Sequence, residues 1–224
     1  SIGVAMDAVS SNASAEFQIT IQVSVDTYDE SVEFAPYVTV SGTINPDGSR
    51  TVISPTEQQV IDLGSIAVVG AEGSVLRNLR VIAPAGMAGE VTLLTMDNIA
   101  MLVDNVEFDG AGIQGVVGLE VAGSNSSEAV VMSSAVRNCT IGIRTSDSSV
   151  KILRTEIDTI AEDGIVVLAP STSKGDTSTA VPRLGDVTDL AGTGANAFSN
   201  ISEAFVRNEN INATVKAEVN SWGT

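Results

Sequence analysis

Leu76-Arg-Asn78-Leu79-Arg-Val81, Val103-Asp-Asn105-Val106-Glu-Phe108 and Val136-Arg-Asn138-Cys139-Thr-Ile141 share one spacing: apolar, any residue, Asn, apolar, any residue, apolar. Phe198-Ser-Asn200-Ile201 repeats its first four positions, and Ile152-Leu-Arg154-Thr155-Glu-Ile157 keeps the spacing without the Asn. A second pattern, Gly followed by an aliphatic residue, recurs at Gly118-Leu119, Gly142-Ile143 and Gly164-Ile165, 24 and then 22 residues apart. A repeat of that length made of strand-like runs fits one coil of a solenoid with three short strands. A propeller blade needs about 40 residues or more, and this chain lacks the Leu framework of leucine-rich repeats.

The flanking sequence points the same way. Alternating runs such as Phe17-Gln-Ile-Thr-Ile-Gln-Val-Ser-Val25, Tyr37-Val-Thr-Val40, Val130-Val-Met132, Val150-Lys-Ile152 and Ile165-Val-Val-Leu168 are bounded by Gly, Asn, Ser, Asp or Pro, the signature of many short strands joined by polar turns. In a solenoid, equivalent inward positions stack into columns of similar volume, which suits Val, Ile and Leu. Asn at a fixed turn tolerates the left-handed backbone region and can hydrogen-bond the Asn of the next coil, and Gly permits a sharp bend. Cys139 falls in an apolar column and reads as a buried thiol rather than a reactive one. One helix is predicted near the start, where Ile2, Val4, Ala5, Ala8 and Val9 form an apolar stripe. It is a candidate lid over the open edge of the stack.

Composition narrows the chemistry. The 224 residues carry 28 Asp+Glu against 11 Lys+Arg, a net charge of −17, no His and one Cys. Without His there is no Ser-His-Asp or Cys-His site, and a lone Cys excludes a disulfide framework or a zinc site of several thiolates. So acidic a chain repels phosphate backbones, so no nucleic-acid partner is expected. No apolar run reaches the roughly 18 residues of a spanning helix, and Val60–Val69, the richest, is broken by Asp62 and Gly64; the chain is not expected to be membrane-embedded. The opening Ser-Ile-Gly shows no basic leader region.

Ile21-Gln-Val-Ser-Val-Asp-Thr-Tyr28-Asp-Glu30-Ser-Val32, then Val38-Thr-Val-Ser-Gly42 and Thr51-Val-Ile53, resembles the opening coils of the pectin-lyase-like superfamily of right-handed parallel β-helices. Asp26-Thr27 stands where that group usually carries Pro-Gly or Ala-Gly. The stretch ending Asn196-Ala-Phe198-Ser-Asn200 is similar to a late coil, and Ala217-Glu-Val-Asn220-Ser-Trp222-Gly223 to the usual closing segment. The resemblance implies an all-β, right-handed parallel β-helix with short strands and an N-terminal capping helix. A single domain over 1–224 is expected, with the cap and first coils in 1–60, central coils in 61–169, and a loop, last coils and C-terminal cap in 170–224. The catalytic signatures of the superfamily are missing. There is no His-bearing lyase strand or Arg-x-Pro-x-x-Arg, no Asn-Thr-Asp with Asp-Asp and Gly-His-Gly as in polygalacturonase-like enzymes, and no recognisable Gln, two Asp and Arg set as in pectin-methylesterase-like ones. Architecture and a habit of meeting glycans are what the resemblance implies, since fold alone licenses no activity.

Glu156 and Asp158 share one strand face about 7 Å apart, with Asp104, Glu107 and Asp109 in earlier coils. Among so many acids they read as solvated surface. For Ca²⁺, the one cofactor considered, the places to look are Asp186 with Asp189, and Asp104 with Asp109; otherwise no metal or cofactor is expected. Arg77, Arg80, Arg137, Arg144 and Arg154 fall in repeat strands, and several of them are expected to stack as a column on one outer face, pairing with acids of adjacent coils rather than gripping an acidic sugar. Sequons occur at Asn12, Asn125, Asn138, Asn200 and Asn212; Asn138 and Asn200 read as structural turns and Asn125 as an exposed site. Ser171–Ala180 reads as a protruding polar loop.

The expectation is therefore a non-enzymatic β-helix module exposed outside the cell, on an envelope or virion surface, in a structural, adhesive or glycan-contacting role. Its partner would be a glycan or a neighbouring surface protein, and a homo-oligomer, a trimer by analogy, is the natural extension. The alternative is a polysaccharide lyase or glycoside hydrolase acting on an acidic glycan without His. Convergence of Arg144, Lys151 and a carboxylate in one groove would favour it.

Overall fold

The computed structural model describes residues 1–123, 129–169, 180–185, 195–217 and 220–223. A short helix, α1 (Ile2–Val9), precedes a first coil of β1 (Ile19–Gln22), β2 (Thr27–Tyr28) and β3 (Val32–Glu33). The second coil is β4 (Val38–Ser41), β5 (Thr51–Ile53), helix α2 (Glu57–Asp62) and β6 (Ile66–Val69). The third is β7 (Val75–Arg77), β8 (Leu79–Ile82) and β9 (Val91–Asp97), and the fourth β10 (Leu102–Asp104), β11 (Glu107–Asp109) and β12 (Val116–Ala122). The fifth is β13 (Val130–Met132), β14 (Ala135–Arg137) and β15 (Ile141–Ser146), and the sixth β16 (Lys151–Leu153), β17 (Glu156–Ile160) and β18 (Ile165–Val167). The seventh is β19 (Arg183–Leu184), β20 (Ala197–Ile201) and β21 (Val206–Asn208), followed by β22 (Lys216–Ala217) and β23 (Ser221–Trp222). Every third strand pairs in parallel, giving three sheets: a first of eight strands (β1 to β22), a second of eight (β2 to β23) and a third of seven (β3 to β21). The chain is a parallel β-helix.

Register explains the aliphatic repetition. Val40, Leu76, Val103, Val131, Ile152 and Leu184 form one inward column on the first sheet. Ile53, Val81, Phe108, Val136, Ile157 and Phe198 form the second sheet's column, and Val68, Leu94, Leu119, Ile143 and Ile165 the third's. All are essentially inaccessible to solvent. Burying each contributes roughly 1.5–3 kcal/mol, so stability is spread along the stack rather than lodged in one residue.

Left-handed residues turn the corners. Asn78, Asn105, Ser133 and Arg154, with φ between 49° and 59°, join the first sheet to the second; Ala111 and Asn138, at 54° and 56°, lead from the second toward the third, and Thr159 and Asn200, at 55° and 51°, bend the ends of β17 and β20 toward the same corner. The apolar-x-Asn-apolar pattern thus merges two different corners. The true counterpart of Val103-Asp104-Asn105 is Val131-Met132-Ser133, not Val136-Arg137-Asn138. The expected Asn ladder is correspondingly short. Asn105 Nδ2 donates to Asn78 Oδ1 at 2.9 Å, whereas Asn138 and Asn200 donate to carboxylates. A second rung lies in the late coils, where Asn196 Nδ2 donates to Asn220 Oδ1 at 3.0 Å. The glycines are another correction. Gly118, Gly142 and Gly164 stack in one column, yet none has positive φ; they supply room rather than a bend. Nor is coil length constant, since Ile19 closes onto Val38 whereas Thr39 closes onto Val75, after a coil enlarged by α2.

α1 packs on β1 and β3 of the first coil, as a lid would. Its buried face is Ile2, Met6 and part of Val9, while Val4 is 68% exposed. A rotation of about 100° per residue groups positions 2, 6 and 9 and turns Val4 and Ala8 away. Glu30 holds the helix start, accepting from the Ile2 and Gly3 N–H groups at 2.5 and 3.0 Å. The sequence reading missed α2, although Thr56-Glu-Gln-Gln59 is a reciprocal capping box that marks its first turn.

Candidate functional site

Strand alternation sends the second sheet's other residues outward. Asp109, Arg137, Asp158 and Ser199 align in one column, and Arg80, Glu107, Ala135 and Glu156 in the next. The charges are spent on one another. Arg80 pairs with Asp109 and, at 3.4 Å, with Glu107; Arg137 reaches Glu156 at 3.0 Å and Glu107 at 3.8 Å; and Arg50 lies 3.7 Å from Glu107. Burial works to raise the Asp109 carboxyl, but Asn138, the Ala111 N–H and Arg80 together outweigh it and hold Asp109 below the ordinary range. Asp158 is lowered chiefly by the Ser199 hydroxyl, which donates at 2.5 Å, helped by Asn200, Thr159 and Arg137. Both aspartates are thus ionised acceptors at neutral pH, the opposite of a poised general acid.

The corner beyond this face is where the surface opens. Stacked loops from successive coils meet there, tied by Ala161 N to Cys139 O, Glu162 N to Thr140 O and Glu203 N to Glu162 O at 2.9–3.0 Å. Two adjoining hollows of about 210 and 570 Å³ share Gln114, Thr140 and Ala161. Asn138, Thr159, Asn200 and Ser202 line the smaller hollow over Ile113, Cys139 and Ile160; Glu90, Glu162 and Glu203 line the larger over Val117 and Ile141. The ion ladder fixes the asparagines. Asn138 Nδ2 donates to Asp109 at 3.0 Å and Asn200 Nδ2 to Asp158 at 2.8 Å, so each amide oxygen faces away from its carboxylate, and neither oxygen accepts a hydrogen bond from another described residue.

Several expected sites resolve differently. The five arginines form no single column: Arg77 lies on the first sheet, Arg80 and Arg137 in neighbouring columns of the second, Arg144 on the third and Arg154 at a corner. The cross-coil ion pairs are present. Arg144 grips Glu90 with both terminal nitrogens at 2.7 and 2.8 Å and approaches Glu120 at 3.5 Å. Lys151 is on the first sheet, so Arg144 and Lys151 do not meet in one groove. Asp104 and Asp109 lie on different sheets, and among the described residues no three carboxylates or thiols cluster as a metal centre. Asp186, Asp189, Asn125 and residues 171–179 lie outside the described residues. Glu156 and Asp158 share a face but are each committed to neighbours. The sequence reading missed Gln114, Thr140, Ser202, Glu90, Glu162 and Glu203, which no motif connects.

Cys139 forms part of the groove floor yet is buried, and burial pushes its thiol up to about 12. Since the thiolate is the reactive species, a maleimide at pH 8 is expected to leave the folded protein unlabelled and to label one thiol in denaturant. Stoichiometric labelling of the native protein within minutes would show the thiol to be open and ionisable.

No family model matches the chain, and no curated protein matches it. Solved structures do. The pectin methylesterase from Aspergillus niger in a penultimately deglycosylated form is 13% identical, with TM-score 0.54 over 100% of this chain and 80% of that one. The same enzyme in deglycosylated form is 14% identical with TM-score 0.49 over 100% and 85%, and the pectin methylesterase from Yersinia enterocolitica is 14% identical with TM-score 0.41 over 99% and 93%. The likeness at TM-score 0.54 shows the fold, a right-handed parallel β-helix, and at this identity shows the fold alone.

Proposed function

We propose that the protein is a non-enzymatic, glycan-contacting β-helix exposed on a cell envelope or virion surface, and that the second-corner groove holds the sugar chain. The observation carrying this is the groove's lining. The amide oxygens of Asn138 and Asn200, the Gln114 amide and the Ser202 hydroxyl, without hydrogen-bond partners among the described residues, line the hollow together with Ile113, Cys139 and Ile160, which suits sugar hydroxyls above a ring face. Neither aspartate of the ion ladder is held protonated as a general acid would be, and the thiol beside them is not a thiolate. Asp109 and Asp158 are ionised and hydrogen-bonded, and the Cys139 thiol is protonated. Two Asp flanking Arg137 in one column are the strongest feature of an enzymatic alternative, but each is tied to structural partners. The fold neighbour acts, by its name, on pectin, which makes a polysaccharide a natural kind of partner for this shape.

Calorimetric titration with oligosaccharides of several classes tests the proposal, alongside assays for released methanol, reducing ends and unsaturated ends. Saturable binding without turnover is expected. Gln114→Ala, which removes an unstrained groove amide, is expected to weaken binding about three- to tenfold, the loss of one hydrogen bond. Catalytic turnover abolished by Asp158→Asn would overturn the non-enzymatic assignment.

A further inference from the structure

We infer that α1 is a detachable cap, latched by Glu30 and released by acid, and that its release lets a second copy dock end to end on the first coil. The latch is one carboxylate. Glu30 accepts from the Ser1 hydroxyl at 2.6 Å and from the Ile2 and Gly3 N–H groups at 2.5 and 3.0 Å, so it holds both the N-cap residue and the first turn. Little else fastens the helix: of its eight residues only Ile2 and Met6 are buried. The carboxyls of Asp7 on α1, Glu33 on β3 and Asp62 on α2 line one hollow with Glu30, and the Ser1 amino group is the cation acting on it. Burial works to raise Glu30, but the Ser1 hydroxyl, the Gly3 and Ile2 N–H groups and that amino group outweigh it and hold Glu30 below its ordinary 4.5. The lowered value belongs to the closed state, so the latch is complete above the ordinary value and is lost as pH falls through the lowered one.

What α1 covers is the free end of a parallel stack. It packs on β1 and β3, each the first strand of its sheet, while β22, β23 and β21 are the last of theirs. Successive coils pair in parallel throughout, so the free edges of β22 and β23 match those of β1 and β2 in a second copy, a head-to-tail contact. The C-terminal end is also apolar. Trp222 ends the second sheet's inward column, stacked on Phe198 at 4.6 Å yet 42% exposed, beside an open hollow of about 470 Å³ lined by Phe205, Val206 and Val215. At neutral pH the net charge of −17 drives copies apart, and the same acid that opens the latch removes that repulsion.

Amide hydrogen exchange and sedimentation velocity on the full chain test this. As pH falls below about 4.5, α1 is expected to lose protection before the central coils do, and single copies to give way to chains of copies. In Glu30→Gln, which keeps the shape and loses the charge, α1 amides are expected to exchange about tenfold faster at pH 7, and chains of copies to form there. Glu16→Gln, which removes an exposed charge nearby in sequence, is expected to behave as the parent at pH 7. Adding Trp222→Lys to Glu30→Gln is expected to leave α1 loose and the copies single, with protection in the central coils showing that each variant is folded. Unchanged α1 exchange in Glu30→Gln, or α1 and the central coils opening together in acid, would overturn the latch. Association of Glu16→Gln at pH 7 would reduce the effect to net charge and overturn it too. A loose α1 without association, or association that survives Trp222→Lys, would overturn docking through the C-terminal end.

Discussion

Gly142→Ala is expected to destabilise the fold by about 3 kcal/mol, although it adds one methyl group to a strand at ordinary φ. A Cβ at Gly142 would lie 2.4 Å from the Gly164 carbonyl oxygen and 3.0 Å from Ile157 Cγ2. Neither neighbour can give way. The Gly164 carbonyl accepts the Ile143 N–H at 2.9 Å, and Ile157 is fully buried in the second sheet's column. Relief would require parting two coils whose hydrogen bonds continue along the stack. Gly48→Ala is the control. Its φ of +86° disfavours alanine, but nothing lies within 4 Å of the added Cβ, so the cost is about 1 kcal/mol from backbone conformation alone. Urea denaturation of the two variants and the parent measures both. A loss at Gly142 no larger than at Gly48 would mean that the column tolerates a side chain.

That column also shows how much the sequence discloses. Gly118, Gly142 and Gly164 stand out at a near-constant interval because stacking forces one steric requirement onto every coil. The same logic makes the aliphatic columns legible, and hence the fold. Corner identity is less so. Asn satisfies a left-handed turn at either end of the second sheet, so Asn105 and Asn138 look alike in sequence although they occupy different corners. Sheet membership of the arginines is hidden for a related reason. Arg77 and Arg80 are three residues apart, but the turn at Asn78 between them sends one to the first sheet and the other to the second. The groove was not legible at all. Glu90, Gln114, Thr140, Glu162 and Glu203 come from different coils of unequal length, and only the backbone register brings them together.

Asp109→Ala is expected to cost about 3 kcal/mol and, separately, to weaken glycan binding about tenfold. Asp109 is the joint between the ion ladder and the groove. It accepts from Asn138 Nδ2 at 3.0 Å and from the Ala111 N–H at 2.7 Å, and it pairs with Arg80. Its side chain is 8% exposed, so the donors left behind have poor access to water; each buried donor so orphaned costs about 1–3 kcal/mol. Arg80, at 34% exposure and with Glu107 still 3.4 Å away, recovers part of its solvation, which keeps the loss at the lower end for a broken buried pair. The affinity loss has another origin. Without the carboxylate nothing dictates which end of the Asn138 amide faces the groove, and an oxygen that was held in place becomes a rotating amide. Asp109→Asn separates the two effects. It retains a carbonyl oxygen for Asn138 and the Ala111 N–H while removing the charge opposite Arg80. It is therefore expected to lose about 1–2 kcal/mol of stability and to bind glycan within about threefold of the parent. Denaturation midpoints and calorimetric affinities for both variants decide the matter: equal affinity losses in the two would mean that charge, and not the orientation of Asn138, is what Asp109 lends the groove.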